Sequence, residues 1–479
     1  MKRVLLLAIA LVVALIPRLY RLTTPLADWH SWRQADTAAV TRRYVADGID
    51  LLHPRYDDLS SIPSGRENPQ GYRMVEFPLI NGLTAWLYQV LPGANELEIH
   101  VFSRLVSILF SLGSLVFLYF LVEKLSGNLE AFLAALVFAL LPYNIFYSRT
   151  ILPEVPLVFF LTGSIYFLVK KVVEQKTPRS WEFWTSAIFA SVAVLLKPYA
   201  LFFALPLVYF KFKHHGFKLL KNPYSYLYVA IVLVPFILWR LWIAQFPEGI
   251  PANVWLLNGN GIRFKGAWFR WLFADRLGRL ILGYFGLVPF ALGMAKKTKA
   301  LEGWFYHLWL ASVLLFFAVF ATGNVQHDYY QIIAIPIVSV FVAKGLAFLL
   351  YPPPQLSKSI CYLLFAICSL FSLAFGWFHL RDYFNINHPE IVAAGKLADQ
   401  TLPREALVIA PYQGNTAFLY QTNRRGWPIG GSIEDKINRG ATDYVTTTFD
   451  AEANLLLQVC DVSTKTDTFA IISLSQCNF

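Results

Sequence analysis

Charge is scarce in this sequence: Asp, Glu, Lys and Arg make up 15% of the 479 residues, against about 25% in an ordinary soluble protein. A dissolved globular protein is therefore excluded, and the 56% hydrophobic content excludes intrinsic disorder as well. Cysteine is also rare, with 4 in the whole chain, too few for a disulfide-dense secreted scaffold. None of the four lies near a histidine, so no zinc-type spacing is present. Only 27 glycines rule out a collagen-like fibre. No glycine-rich phosphate loop is found in the tail, where Gly430-Gly431 reads as a turn. What the chain does have is long apolar runs with basic residues between them. The net charge of +11 is thus explained by orientation in a bilayer rather than by a nucleic-acid partner.

A hydrocarbon core about 30 Å thick takes roughly 20 apolar residues per helix. Runs of that kind fall near 4–20, 101–122, 129–147, 151–169, 182–196, 199–210, 225–243, 276–295, 303–322, 330–350 and 359–378, which predicts about eleven spans. The first follows Met1-Lys2-Arg3 and has no small-residue cleavage site before Arg18 and Arg21, so it reads as a retained helix with its N-terminus in the cytoplasm. Two of the runs are short, and tilted or partly re-entrant helices suit them. Lysines and arginines at 124, 170–179, 211–221, 296–299 and 358 occupy alternate connections, giving one consistent orientation by the positive-inside rule. The expectation is a multi-pass protein of the cell membrane whose last hundred residues lie outside the cytoplasm.

Those last residues change in composition and read as a small soluble α/β domain, 379–479, beside a membrane domain covering 1–378. ALVIAPY, RRGWPI, DYVTTT and FAIISLS are strand-like, while NTAFLYQT and SIEDKINRG, the latter with Ser432 as N-cap candidate, are helical. Cys460 and Cys477 lie in this domain and are candidates for a disulfide, although spacing alone does not fix the geometry. Cys361 and Cys368 read as small apolar residues inside a span. The RRGW segment suits either a basic aromatic surface for a glycan or a buried structural turn, with the turn preferred.

The polar candidates gather on the outer side. ADWHSWRQADTAAVTRRYVADG, directly after the first span, carries Asp28, His30, Arg33, Gln34 and Asp36. A surface helix from about Asp36 to Ala46 would make Asp36 a helix cap, an explanation that competes with a chemical role. Asp28 stands before that helix and has less structural reason to be there. YRMVEFPLINGLTAWLYQVLPG forms a helix lying along the interface, with Glu76 at its start; capping again competes. YSRTILPEVP sets Arg149 and Glu154 at the beginning of a span, LLKPYALFF places Lys197 on the side where the positive-inside rule does not want it, and GNVQHDYYQIIAIP presents His327, Asp328, Tyr329 and Tyr330. Carboxylates and cations on one face, walled by apolar helices, suit a substrate with a lipid tail and an anionic head. Arginine and lysine can hold a phosphate and neutralise the charge growing on it, and a carboxylate can take a proton from an attacking hydroxyl.

DWHSWRQADTAAVTRR, EFPL with LYQVLPGANELEIHVFSRLVSILFSL, SRTILPE and HDYYQIIAIP together resemble the protein O-mannosyltransferase-like glycosyltransferases, the group of the aminoarabinose lipid A transferases, over about residues 1–350. The resemblance implies the GT-C fold and transfer of a sugar from a polyprenyl-phosphate donor to a lipid, glycan or protein acceptor on the outer face, inverting at the anomeric carbon. It implies that Asp28, or as second choice Asp36, is the general base. Glu76 is similar to the acid of the family's Glu-Lys-Pro-Pro segment, with Phe77 in place of the lysine, so the phosphate-binding role passes to Arg33, Arg149 or Lys197. His327 with Tyr330 resembles the corner facing the lipid phosphate, and His30, Gln34, Glu76, Glu154 and Tyr329 fall to substrate binding.

No cofactor is implied, since the mannosyltransferase-like branch generally does without a metal. Asp28, Asp36 and Glu154 nevertheless offer oxygen ligands of the kind Mg²⁺ or Mn²⁺ takes, which leaves a divalent ion open. A lipid-linked-sugar transporter or flippase would call for an internal repeat and charged or broken helices at mid-membrane, and the midspan residues are overwhelmingly apolar. A scaffold whose outer domain binds envelope glycans, and an oligosaccharide ligase, stay as alternatives.

Overall fold

The fold was derived from a computed structural model that describes residues 2–177 and 179–477. Met1, read above as part of the charged start, lies outside the described residues. The chain divides into two compact units, each assembled from separated stretches: Met1–Leu22, Leu105–Trp239 and Asn253–Asp382 form one, and Thr23–Arg104, Arg240–Ala252 and Tyr383–Phe479 the other. The reading from sequence, in contrast, divides the chain along its length at 378.

The first unit is helical. Ile99–Ser126, Glu154–Val173, Pro223–Ile243, Asp328–Leu350 and the helical stretch Lys358–Thr401, whose part beyond Asp382 belongs to the second unit, are long and apolar enough to cross a membrane, and Asn128–Leu140, Trp181–Leu196 and Phe305–Val319 are shorter apolar helices. Several expected spans are interrupted. Leu141-Pro142 breaks the run 129–147 into Asn128–Leu140 and Pro142–Tyr147, because a proline inside a helix removes a hydrogen bond and clashes with the preceding turn. The run 276–295 is divided by Gly283 and Tyr284, both at positive φ, between a π-helix ending at Ile281 and the helix Leu287–Ala295. Only 17% of the apolar window of Pro223–Ile243 is buried, against 94% of that of Asp328–Leu350, so the former leaves Val229, Ile237 and Leu241 exposed while the latter is central. Gly293 and Gly345 let Leu287–Ala295 and Ile335–Leu350 touch backbone to backbone: a Cβ at Gly345 would lie 1.8 Å from the Pro289 carbonyl oxygen.

The second unit contains a five-stranded sheet. Strands β1 (Leu407–Ile409), β2 (Arg425–Trp427), β3 (Ala441–Thr446), β4 (Cys460–Lys465) and β5 (Ala470–Cys477) lie in the order β2-β1-β3-β5-β4. β2, β1 and β3 are parallel, and β5 runs antiparallel to both β3 and β4. Side chains alternate as the pleat requires. Val408, Val445 and Ile471 pack with Ile391, Ala394 and Phe418 of the helices Pro389–Thr401 and Thr416–Gln421. Ile409, Tyr444 and Ile472 pack on the opposite face with Ala453 and Leu456 of Ala451–Val459. Asn415 and Asp450 cap their helices through the backbone amides of Ala417 and Ala453, each at 2.9 Å. Ser432 occupies the expected cap position of Ile433–Asn438 but, at φ 50°, makes no side-chain capping bond. RRGWPI is strand-like as read: Arg425–Trp427 is β2, with Arg424 and Trp427 buried, so RRGW is not a turn. Cys460 and Cys477 form a disulfide between neighbouring ends of β4 and β5, Cα to Cα 4.1 Å.

The polar stretch after the first span belongs to this unit. Leu59 enters the sheet's second core, and its amide donates to the Gly426 carbonyl at 2.8 Å while the Gly426 amide donates to Asp57 at 2.9 Å. The edge of β2 is thereby covered rather than left open for another chain.

Candidate active site

Six of the twelve sequence candidates lie in the second unit. Asp28 is buried, and its carboxylate accepts from Gln34 Nε2 at 3.0 Å and pairs with Arg104 Nη2 at 3.2 Å. The next helix begins at Ser31, not near Asp36, with His30 at the cap position in the left-handed region at φ 55°. Asp36 is therefore not a helix cap. It sits inside Ser31–Asp47, where one oxygen pairs with Arg73 at 2.8 Å and the other accepts from the Thr416 hydroxyl at 2.7 Å. Glu76 does not cap either, because Leu79–Val90 starts after Pro78; its carboxylate is ion-paired with Arg33. The cation that Phe77 removed from the segment is thus supplied at Glu76 by a residue 43 positions away. Arg33, Asp36, Arg73 and Glu76 border a cavity of about 20 Å³, enough for a water. His30 stands edge-on to Trp29, whose indole stacks on Tyr383 at 4.7 Å.

Beneath Asp36 lies a further carboxylate the sequence did not flag. Asp58 accepts from the Ser60 amide at 2.8 Å and from the Tyr56 hydroxyl at 3.4 Å, and Arg73 lies over the Tyr56 ring. Burial, with Asp36 adding to it, pushes the Asp58 carboxyl up to about 7.

The other six candidates lie in the first unit. The helix Trp181–Leu196 stops because Lys197 precedes Pro198, and a residue before proline is pushed out of the helical region. Lys197 is consequently extended, at φ −152° and ψ 121°, with its ammonium 3.3 Å from Glu154, which is fully buried at the start of Glu154–Val173. Tyr199 donates to the same Glu154 oxygen at 3.3 Å. Arg149 is buried, donating to the Arg21 carbonyl at 2.9 Å with its guanidinium over Phe146. His327 stacks on Tyr329 at 5.4 Å and meets Tyr330 and Trp255 edge-on. Asp328, between them, accepts from the Tyr147 hydroxyl at 2.5 Å, which fixes the corner.

Arg104, Arg73, Thr416, Tyr199, Tyr147 and Trp255 were not singled out from sequence. Arg104 carried a signal, being an arginine near the start of a long apolar helix, and Tyr199 lies inside LLKPYALFF; Thr416 carried none. Among the described residues no three His, Cys, Asp or Glu side chains come together as a ligand set.

Residues 78–242 match the family model of the dolichyl-phosphate-mannose-protein mannosyltransferases. An uncharacterized protein of Aquifex aeolicus (strain VF5) is 27% identical over 259 residues, 50% of this chain and 47% of that one, so the match spans about half the length of the relative. Among solved structures, ArnT from Cupriavidus metallidurans bound to undecaprenyl phosphate is similar over 99% of both chains, with a TM-score of 0.65 and 14% identity. The Archaeoglobus fulgidus oligosaccharyltransferase in the apo form is similar over 92% of this chain and 69% of its own, with a TM-score of 0.56 and 11% identity. The same organism's oligosaccharyltransferase AglB, in complex with an inhibitory peptide and a dolichol phosphate, gives 0.57 and 11% over 93% and 69%. The fold is that of the GT-C multi-pass membrane proteins. Within that fold, residues 78–242 are similar to the protein mannosyltransferase family and the chain as a whole is similar in fold to ArnT.

Proposed function

We propose that this protein is a membrane glycosyltransferase that moves a sugar from a polyprenyl-phosphate donor to an acceptor hydroxyl at the outer face of the cell membrane, with inversion. The observation that carries the reading is the likeness over 99% of the chain to an ArnT structure holding undecaprenyl phosphate, joined to buried carboxylate and cation pairs at the very segments the family resemblance picks out. Asp28 is the general base. Arg104 and Gln34 orient its carboxylate, and it takes the proton as the acceptor oxygen attacks the anomeric carbon. The bond from that carbon to the phosphate oxygen breaks on the opposite face, and polyprenyl phosphate departs with the bonding electrons. Asp36, tied to Arg73 and Thr416, holds the second unit together rather than serving as base. Lys197 and Arg149 meet the donor phosphate, with His327 and Tyr330 beside them, while Arg33, His30, Gln34, Glu76, Glu154 and Tyr329 shape substrate binding. The donor arrives through the bilayer; no metal is required.

The test is release of polyprenyl phosphate from a panel of labelled polyprenyl-phosphate sugars by the detergent-purified protein, with envelope extract as acceptor and with or without a chelator. Asp28→Asn is expected to lower the rate by about 10² to 10⁴ without loss of folded protein, and Asp36→Asn to lower thermal stability more than rate. A wild type that consumes no donor but moves labelled lipid between leaflets would favour a flippase instead.

A further inference from the structure

A second cationic recess exists in the unit that carries Asp28, lined by none of the residues given a role above. It measures about 480 Å³ and is walled by Arg42, Arg43, Arg404 and Arg424, with Asp47 and Glu405 as the acidic lining residues. Arg424 is committed to structure, since it pairs with Asp399 at 2.8 Å and donates to the Pro403 carbonyl at 2.6 Å. Arg42 and Arg43 both draw on Asp57, and Arg43 also reaches Asp47, at 3.9 Å. Arg404 is exposed. Adjacent Arg425 is crowded as well: burial and then the charge of Arg43 hold its guanidinium below the usual range. Counting Arg425, five guanidiniums stand against the four carboxylates of Asp47, Asp57, Asp399 and Glu405, and an anion relieves the repulsion left among them.

The remaining wall says which anion. It includes Tyr88 of the helix Leu79–Val90 and Ile99, the first residue of a 28-residue helix long and apolar enough to span the membrane. Trp86, Val90 and Leu91, all exposed, continue an apolar surface from that helix. A cationic recess with an apolar margin at the head of a span fits a group that has a phosphate at one end and acyl chains at the other.

We propose that this recess binds the phosphate headgroup of an anionic phospholipid, as a site separate from donor binding and independent of the transfer reaction. The probe is short-chain fluorescent phosphatidylglycerol titrated into the delipidated, detergent-purified full chain, against phosphatidylcholine of the same chains and against inorganic phosphate as competitor. Phosphatidylglycerol is expected to bind at least about tenfold more tightly than phosphatidylcholine, and Arg43→Gln with Arg404→Gln to weaken it about tenfold, at an unchanged unfolding temperature. Arg66→Gln, an exposed arginine of the same unit outside the recess, should leave it unaltered. If the paired variant misfolds, Arg404→Gln alone, on the exposed rim, is expected to weaken binding about threefold. Equal binding of both lipids, or equal loss in Arg66→Gln, overturns the site. Displacement by equimolar inorganic phosphate overturns the lipid as its occupant.

Discussion

Glu154, fully buried, and Lys197, half-buried, form a pair whose part in stability and proposed part in phosphate binding separate by mutation. Removing one partner leaves an uncompensated buried charge, costing about 3–5 kcal/mol, whereas removing both with groups of similar shape costs far less. Lys197→Met alone, which strands the fully buried Glu154 carboxylate, is therefore expected to lower the unfolding temperature sharply. Lys197→Met with Glu154→Gln should recover most of it and yet raise the KM for a polyprenyl-phosphate donor. Recovery of both together would mean that Lys197 meets no phosphate. Asp28, Glu154 and Lys197 were legible in the sequence because each is an ionisable group where hydropathy offers no reason for one. Their partners were not, because Arg104 lies 76 positions from Asp28 and only tertiary structure joins them.

At the scale of elements, the helix Ser31–Asp47 is where local signals misled. Its first residue follows a left-handed His30 with no side-chain cap, so the sequence contains no capping signature at the true start, and the first plausible cap, Asp36, lies inside the helix. Strand β4 was missed for a related reason. It is an edge strand with mostly exposed residues in CDVSTK, so no apolar alternation marks it, whereas β1, β3 and β5 are read directly from Leu407–Ile409, Ala441–Thr446 and Ala470–Cys477. The segment joining the loop to the sheet carries a pH prediction. Asp58 is held protonated in the folded protein up to about 7, against an ordinary value near 4. A carboxyl raised in this way favours the fold below its ordinary value, and that contribution is lost as pH climbs through the folded value. Between pH 4 and 7 the folded state binds the extra proton, so the stability of this unit should fall over that window and level off above it. Tyr56, Ser60, Asp36 and Arg73 surround the group, and Asp58→Asn should flatten the slope measured by thermal unfolding across pH.

At the scale of the whole molecule, the membrane class was legible from composition, because apolar runs and alternating lysines need no tertiary information. The interleaving of segments in the two units was not, since hydropathy assigns residues to phases rather than to neighbours. The disulfide belongs to this scale as well. Closing a loop across Cys460 and Cys477, 17 residues apart, restricts the unfolded chain by about 3 kcal/mol. Cys460→Ser with Cys477→Ser is expected to lower the unfolding temperature of the purified protein, and reductant should lower that of the wild type to the same point. An unchanged transition under both treatments would mean that the bond does not form.

The three-part make-up of the second unit sets a schedule for biogenesis. Thr23–Arg104 leaves the ribosome early, yet the sheet whose edge it covers is encoded in the last stretch made, Tyr383–Phe479. At about 5–20 residues per second, the early segment waits on the order of tens of seconds for the partner that completes its core. During that interval Leu59 and the Asp36 pair have nowhere to dock, and the nascent protein is most open to proteases and to holding chaperones. Loss of the C-terminal strands would therefore expose the earliest polar segment to quality control, and a truncated chain should disappear from the membrane rather than persist there inactive.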